Sequence, residues 1–108
     1  MKKDEQLDRV FDAIANDKRR AMIYQLSCNP TTISHLASLT DLSLQAIHKH
    51  IEELEDANLI VRKKVGRSNF LALNPKPLAA AQKWMKQFNT QWGSPQATLE
   101  NYVSNLPS

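Results

Sequence analysis

The stretch "TISHLASLTDLSLQAIHKHIEELEDANLI", residues 32–60, decides the fold. Within it Ile47, Ile51 and Leu54 recur at steps of three and four, the spacing of one apolar stripe on a helix that begins after Ser43. The outer face of that helix changes character along its length. Gln45, His48 and Lys49 come first, then Glu52, Glu53, Glu55 and Asp56. Either the helix is merely solvated, or its N-terminal end is built to meet an anion.

Upstream in this stretch, Thr32 suits the N-cap of a short helix, residues 33–39, that turns Leu36 and Ala37 inward. Asp41 in "TDLS" tolerates turn geometry, and Ser43 caps the next helix. Position 46 is alanine, so a reciprocal capping box is not formed and the cap is simple. Before this pair, Leu7, Val10, Phe11 and Ile14 predict a first helix over residues 4–15. Asn16 caps a second helix, with Asp17 at the positive end of its dipole. That helix is expected to carry Ala21, Met22, Ile23, Tyr24 and Leu26 inward and to stop near Pro30, which restricts Asn29.

Past Asn58 the period changes. Residues 59–64 and 69–73 form two β-prone runs around Val65-Gly66-Arg67-Ser68, where Gly66 supplies the positive φ of a hairpin turn. Pro75 and Pro77 mark the exit. A long helix follows with Leu78, Ala81, Met85, Phe88 and Trp92 at steps of three and four, and Leu99, Tyr102, Val103 and Leu106 predict a last amphipathic one. There is no internal repeat, low-complexity tract or linker, so residues 1–108 are expected to form a single domain.

A chain of 108 residues buries about 60–70% of its unfolded surface, enough for a core without disulfides or metals. Cys28 is the only cysteine, which rules out an internal disulfide and fits a reducing compartment. The start alternates charged and apolar residues like no secretory signal, and no apolar run reaches the ~20 residues of a membrane span. The expectation is a cytoplasmic protein. Net charge is only +3, but its distribution is one-sided: Arg62, Lys63, Lys64, Arg67, Lys76, Lys83 and Lys86 fall between Ala57 and Leu99, with no Asp or Glu among them. Such a segment is either a solvated basic face or a surface for a polyanion.

Two helices joined by a short turn, followed by a basic two-stranded hairpin, describe a mainly α winged helix-turn-helix. In that arrangement the second helix of the pair enters the major groove of DNA N-terminus first. The charge order on residues 44–57 then has a reason. Gln45, His48 and Lys49 stand where base edges and phosphates lie, and the acids fall a turn or more behind. Thr32, Ser43 and Ala46 join them at the helix starts, and Arg62, Lys64, Arg67 and Ser68 are the wing residues expected to grip the backbone or minor groove.

"FDAIANDKRRAMIYQL", the stretch from Thr32 through "NPKPL", and the Trp84–Trp92 segment together resemble the ArsR family of small bacterial and archaeal repressors, over roughly residues 7–106. The most specific elements are Arg19-Arg20-Ala21, Leu36-Ala37, Leu42-Ser43, Ala46-Ile47, Lys49-His50-Ile51, Leu54 and Ala57-Asn58-Leu59-Ile60. The family's Asp-Pro-Thr is replaced by Asn16-Asp17-Lys18 and its turn glycine by Asp41. Both changes keep cap and turn chemistry. The resemblance implies a homodimer, with first and late helices packed across a two-fold axis, that binds double-stranded operator DNA and represses transcription. Leu7, Val10, Phe11, Met85, Phe88, Trp92, Leu99 and Tyr102 would form that seam. Independently, the apolar stripe of the late helices is larger than so small a domain usually hides, though it could instead cap the domain's own core.

Metal sensing is not expected. Family members of that type carry cysteines on the helix starting near Thr32, or Asp/His/Glu clusters on the last helices, and here no histidine follows His50. His48 and His50 are two apart on a helix and cannot chelate on one face, and His35 stands alone. No cofactor is implied. No nucleophile, base and orienter are set together, so no enzyme is expected. Two other readings stay open: a winged helix that binds protein rather than DNA, and a thiol sensor using Cys28, whose bland counterpart is a small buried hydrophobe.

Overall fold

The computed structural model describes residues 4–88 and 94–107. Helix α1 (Glu5–Ile14) is capped by Asp4, whose side chain accepts from the Leu7 N–H at 3.0 Å. Helix α2 (Asp17–Cys28) is capped by Asn16, whose Oδ1 accepts from Lys18 and Arg19 at 2.8 and 3.1 Å. The paired arginines close the other side of this junction. Arg19 donates to the carbonyls of Ala13 and Asp12 at 2.7 and 3.0 Å, and Arg20 donates to that of Ile14 at 2.8 Å. Two guanidinium groups therefore satisfy the last carbonyls of α1, where a helix end also favours positive charge.

Pro30 holds Asn29 extended, and the chain continues as a two-residue strand, β1 (Thr31–Thr32). The sequence reading saw only Thr32's capping role, which is also present: its hydroxyl accepts from the His35 N–H at 3.1 Å. Helix α3 (Ile33–Ser38) and helix α4 (Leu44–Asp56) follow, joined through residues 39–43, with Ser43 Oγ accepting from the Ala46 N–H at 3.1 Å. Strands β2 (Ile60–Val65) and β3 (Ser68–Leu73) make the wing, and β1 adds to it in the antiparallel order β1-β3-β2. Thus the sheet is three-stranded where a hairpin alone was expected; two extended residues are too few for a period-2 signal. Gly66 has φ +62 and Arg67 does not share the left-handed region, the pattern of a type II′ hairpin turn.

The core lies between α2, α3, α4 and the base of the sheet. Ile47, Ile51, Leu54 and Leu59 are fully buried, with Met22, Leu26, Leu36 and Leu71 against them. On α2 the inward set is narrower than expected. Met22 and Leu26 are buried, whereas Ala21 and Tyr24 are exposed, because only one stripe of α2 meets α4 and the sheet. Cys28 is exposed, not a buried hydrophobe.

Helix α5 (Lys76–Lys86) packs on α1 and splits its predicted stripe. Ala81 is buried and Leu78 packs against the core, but Met85 and Phe88 stay half-exposed or more. Trp92 lies outside the described residues. Helix α6 (Pro95–Ser104) is capped by Ser94 and buries none of its residues, leaving Leu99, Tyr102, Val103 and Leu106 open to solvent. No helix among the described residues is long and apolar enough to cross a membrane.

Candidate nucleic-acid interface

Helix α4 is anchored at its far end and free at its start. After Asp56 the chain reverses through Asn58 at φ 58, a left-handed residue that asparagine tolerates better than most. The Asn58 N–H donates to the Glu55 carbonyl and the Leu59 N–H to that of Leu54, both at 2.9 Å, which is a Schellman closure. Helix α1 and the chain after β3 brace the same corner. Gln6 Nε2 donates to the Ala57 carbonyl at 2.8 Å, and Asn74 Nδ2 to that of Asn58 at 2.9 Å.

Of the acids, Glu55 is tied to the wing: its Oε1 lies 2.6 Å from the Arg62 guanidinium. Arg62 is thus a strut between α4 and β2, and its charge is already partnered. Glu53 and Asp56 share a cleft with Arg9 and Asp12 against α1. Three of the four acids of α4 thus face the wing or α1, while Glu52 stands exposed.

The start presents Ser43, Leu44, Gln45, His48 and Lys49 to solvent, with Ala46 half-buried. Leu44 and His48, one turn apart, face a groove closed by Thr32, Ile33 and Ser34 on one side and by Arg67, Ser68 and Asn69 of the wing tip on the other. Gln45 and Lys49 form the neighbouring column of the same helix. Residues separated by up to 37 positions therefore meet at one concave surface. Strand register sorts the wing cations. Arg62 and Lys64 stand opposite Leu71 and Asn69, on the face turned to the helices, while Lys63 stands opposite Phe70 on the outer face. His50 lies apart from this surface. Its Nδ1 is 3.4 Å from Arg19 Nη1, and burial, the Arg19 charge and the Lys49 charge hold its pKa below the usual value of 6.5, against weaker opposite pulls from Asp17 and Glu53.

The sequence reading placed Thr32, His48, Arg67 and Ser68 on this surface. It overlooked Leu44, Ser34 and Asn69. Leu44 was passed over because an apolar residue beside a helical stripe reads as core. Of the residues assigned to the seam, Leu7 and Phe11 are half-buried, and Phe11 meets the Trp84 ring edge-on at 5.5 Å. The Phe88 and Trp84 rings meet tilted by 57°, with centroids 4.8 Å apart. Val10, however, is 1% exposed within the single chain, so it has no surface left to offer a partner. Among the described residues no group of three His, Cys, Asp or Glu side chains is arranged to hold a metal.

No family model matches the chain. Over 84 residues it is 30% identical to the HTH-type transcriptional regulator Rv2034 of Mycobacterium tuberculosis, covering 78% of each chain. It superposes on the solved ArsR family transcriptional regulator RHA00566 with TM-score 0.77 and 37% identity, over 87% of this chain and 98% of that one. The chain belongs to the ArsR family of transcriptional regulators. A second solved structure, the homodimeric winged helix-turn-helix DNA-binding domain (fragment 1–100) of Mb0332 from Mycobacterium bovis, a possible ArsR-family regulator, shares the fold at TM-score 0.64 and 16% identity, over 81% and 88% of the two chains. ArsR proteins are DNA-binding regulators and not enzymes, which agrees with a site built of cap hydroxyls, an amide and cations.

Proposed function

We propose that this ArsR regulator is a homodimeric repressor that reads an inverted-repeat operator through α4 and its basic wing, without responding to metal. One observation carries the reading: Gln45, His48 and Lys49 stand exposed at the start of α4, beside Thr32, Arg67 and Ser68 of the same groove. Gln45 fits the paired donor and acceptor of adenine, and Lys49 fits guanine or phosphate. The N–H groups of the two helix starts suit phosphate oxygens. Lys64, Arg67 and Ser68 hold the backbone, and Arg62 sets the wing through Glu55.

The seam consists of Leu7, Phe11, Met85, Phe88, Leu99 and Tyr102, with Trp92 as its further member. Exposed large apolar side chains in and just after α5 and α6 favour burial against a second copy. The homodimeric fold neighbour supports the same arrangement. A two-fold dimer sets its reading helices about 34–36 Å apart, one turn of B-DNA.

The test uses duplexes that the protein selects from a random pool. Arg67→Ala should weaken all sequences alike and lower the salt dependence by about one phosphate contact. Gln45→Ala should relax choice at one base pair, with about 1–3 kcal/mol of discrimination lost. Unaltered binding by both variants would defeat the assignment.

A further inference from the structure

Leu44 is the misfit of the interface. It is the first residue of α4, 59% exposed, and it takes no part in the buried cluster that Ile47, Ile51 and Leu54 fill from the same helix. More than half of its isobutyl group stands in water, outside the core. Apart from Ile33, which is buried into the core, the groove around Leu44 is lined by polar residues: His48 one turn on, Thr32 of β1, Ser34 of α3, and Arg67, Ser68 and Asn69 from the wing. A side chain so placed lies among the groups that would meet base edges, yet it can neither donate nor accept a hydrogen bond.

The floor of the major groove offers one strongly apolar feature, the methyl group at pyrimidine C5, which thymine carries and cytosine lacks. We propose that Leu44 is a specificity-determining residue of this regulator and reads a pyrimidine 5-methyl group in each half-site. Gln45, next in the chain, bears the amide that pairs with adenine N6 and N7, and the partner of adenine is the base with the methyl group. Leu44 and Gln45 are thereby matched to the two halves of A·T pairs, either one pair or adjacent ones. The inference rests on the DNA-reading surface proposed above, and adds to it the chemical group that the surface selects.

The experiment replaces each thymine of a selected duplex in turn by uracil, which removes the methyl and keeps every hydrogen bond. Binding is followed by fluorescence anisotropy at one salt concentration. A second series places 5-methylcytosine at each cytosine. For the native chain, uracil at one position in both half-sites should weaken binding about fourfold per half-site, the value of one buried methylene converted to an affinity ratio. Leu44→Ala should bind the thymine duplex more weakly by a similar factor and be indifferent to uracil there. Leu44→Met, which keeps an apolar reach, should recover the sensitivity. Because Leu44 is exposed, thermal melts of the variants should match that of the native chain. A gain from 5-methylcytosine that disappears in Leu44→Ala would support the methyl reading with modified cytosine as the source. Tight, salt-sensitive binding that ignores uracil, or a uracil effect equal in native and Leu44→Ala protein, would overturn this inference alone. Failure to select any duplex would remove the DNA-reading surface and this inference together.

Discussion

Two surfaces of this molecule are open to solvent for opposite reasons. At the start of α4 and the wing tip, exposure costs little, since Gln45, Lys49, Arg67 and Ser68 are well hydrated. In and just after α5 and α6 the exposed side chains include Met85, Phe88, Leu99, Tyr102, Val103 and Leu106, whose contact with water is unfavourable. The first surface is finished and waits for a polar ligand. The second is apolar surface left uncovered in the single chain, which the proposed dimer would bury. The lesson is that exposure alone does not mark a functional site; the chemistry of what is exposed tells which partner belongs there. Leu44 is informative because it places the second chemistry on the first surface.

The largest effect should come from breaking the apolar surface. Phe88→Glu combined with Tyr102→Glu should yield a monomer by sedimentation, and duplex affinity should fall about 10²–10⁴-fold as the second half-site is lost. A monomer of unchanged affinity would show that the two surfaces are not coupled.

Next comes the helix that separates them. Ile51→Ala should cost about 2–5 kcal/mol in urea unfolding, because the side chain is fully buried with α2, α3 and the sheet around it. Glu52→Ala, one residue on and exposed, should change stability by about 0.5 kcal/mol or less. Equal losses would mean that the stripe and the outer face of α4 are wrongly assigned.

These two effects also mark what the sequence made legible. The caps Asn16, Thr32 and Ser43, the stripe of α4 and the Gly66 turn rest on interactions within a few residues, and all were readable from spacing and residue type. What escaped depends on contacts distant in sequence. The pairing of Thr31 with Leu71 makes β1, Arg62 forms an ion pair with Glu55 of α4, and Val10 of α1, which α5 packs against, is buried within its own chain. In the groove, Thr32, His48, Arg67 and Ser68 were legible as polar or basic residues at helix starts and the wing tip, whereas Ser34 and Asn69 carried no such signal. Leu44 was not legible either, since an apolar residue there carries the same signal as a core residue until its burial is known.

The smallest effect concerns His50, which meets Arg19 of α2 from α4, away from the groove. Its pKa in the folded chain is depressed, so the unfolded chain binds the proton more readily and stability rises with pH across the interval between the two values. The contribution is fully present above about 6.5 and is lost as pH falls through the folded value. Chemical denaturation from pH 7.5 down to 5 should show this slope in the native chain, and His50→Gln should flatten it. An identical slope in the variant would remove His50 from the account.

The central claim is that the polar start of α4 and the wing tip, doubled by the apolar seam, read DNA as a pair. Hydroxyl-radical footprinting on a selected duplex tests it most directly. Two protected patches on one face of the helix, with centres about 10–10.5 base pairs apart, are predicted. A single patch, or protection without that spacing, would contradict it.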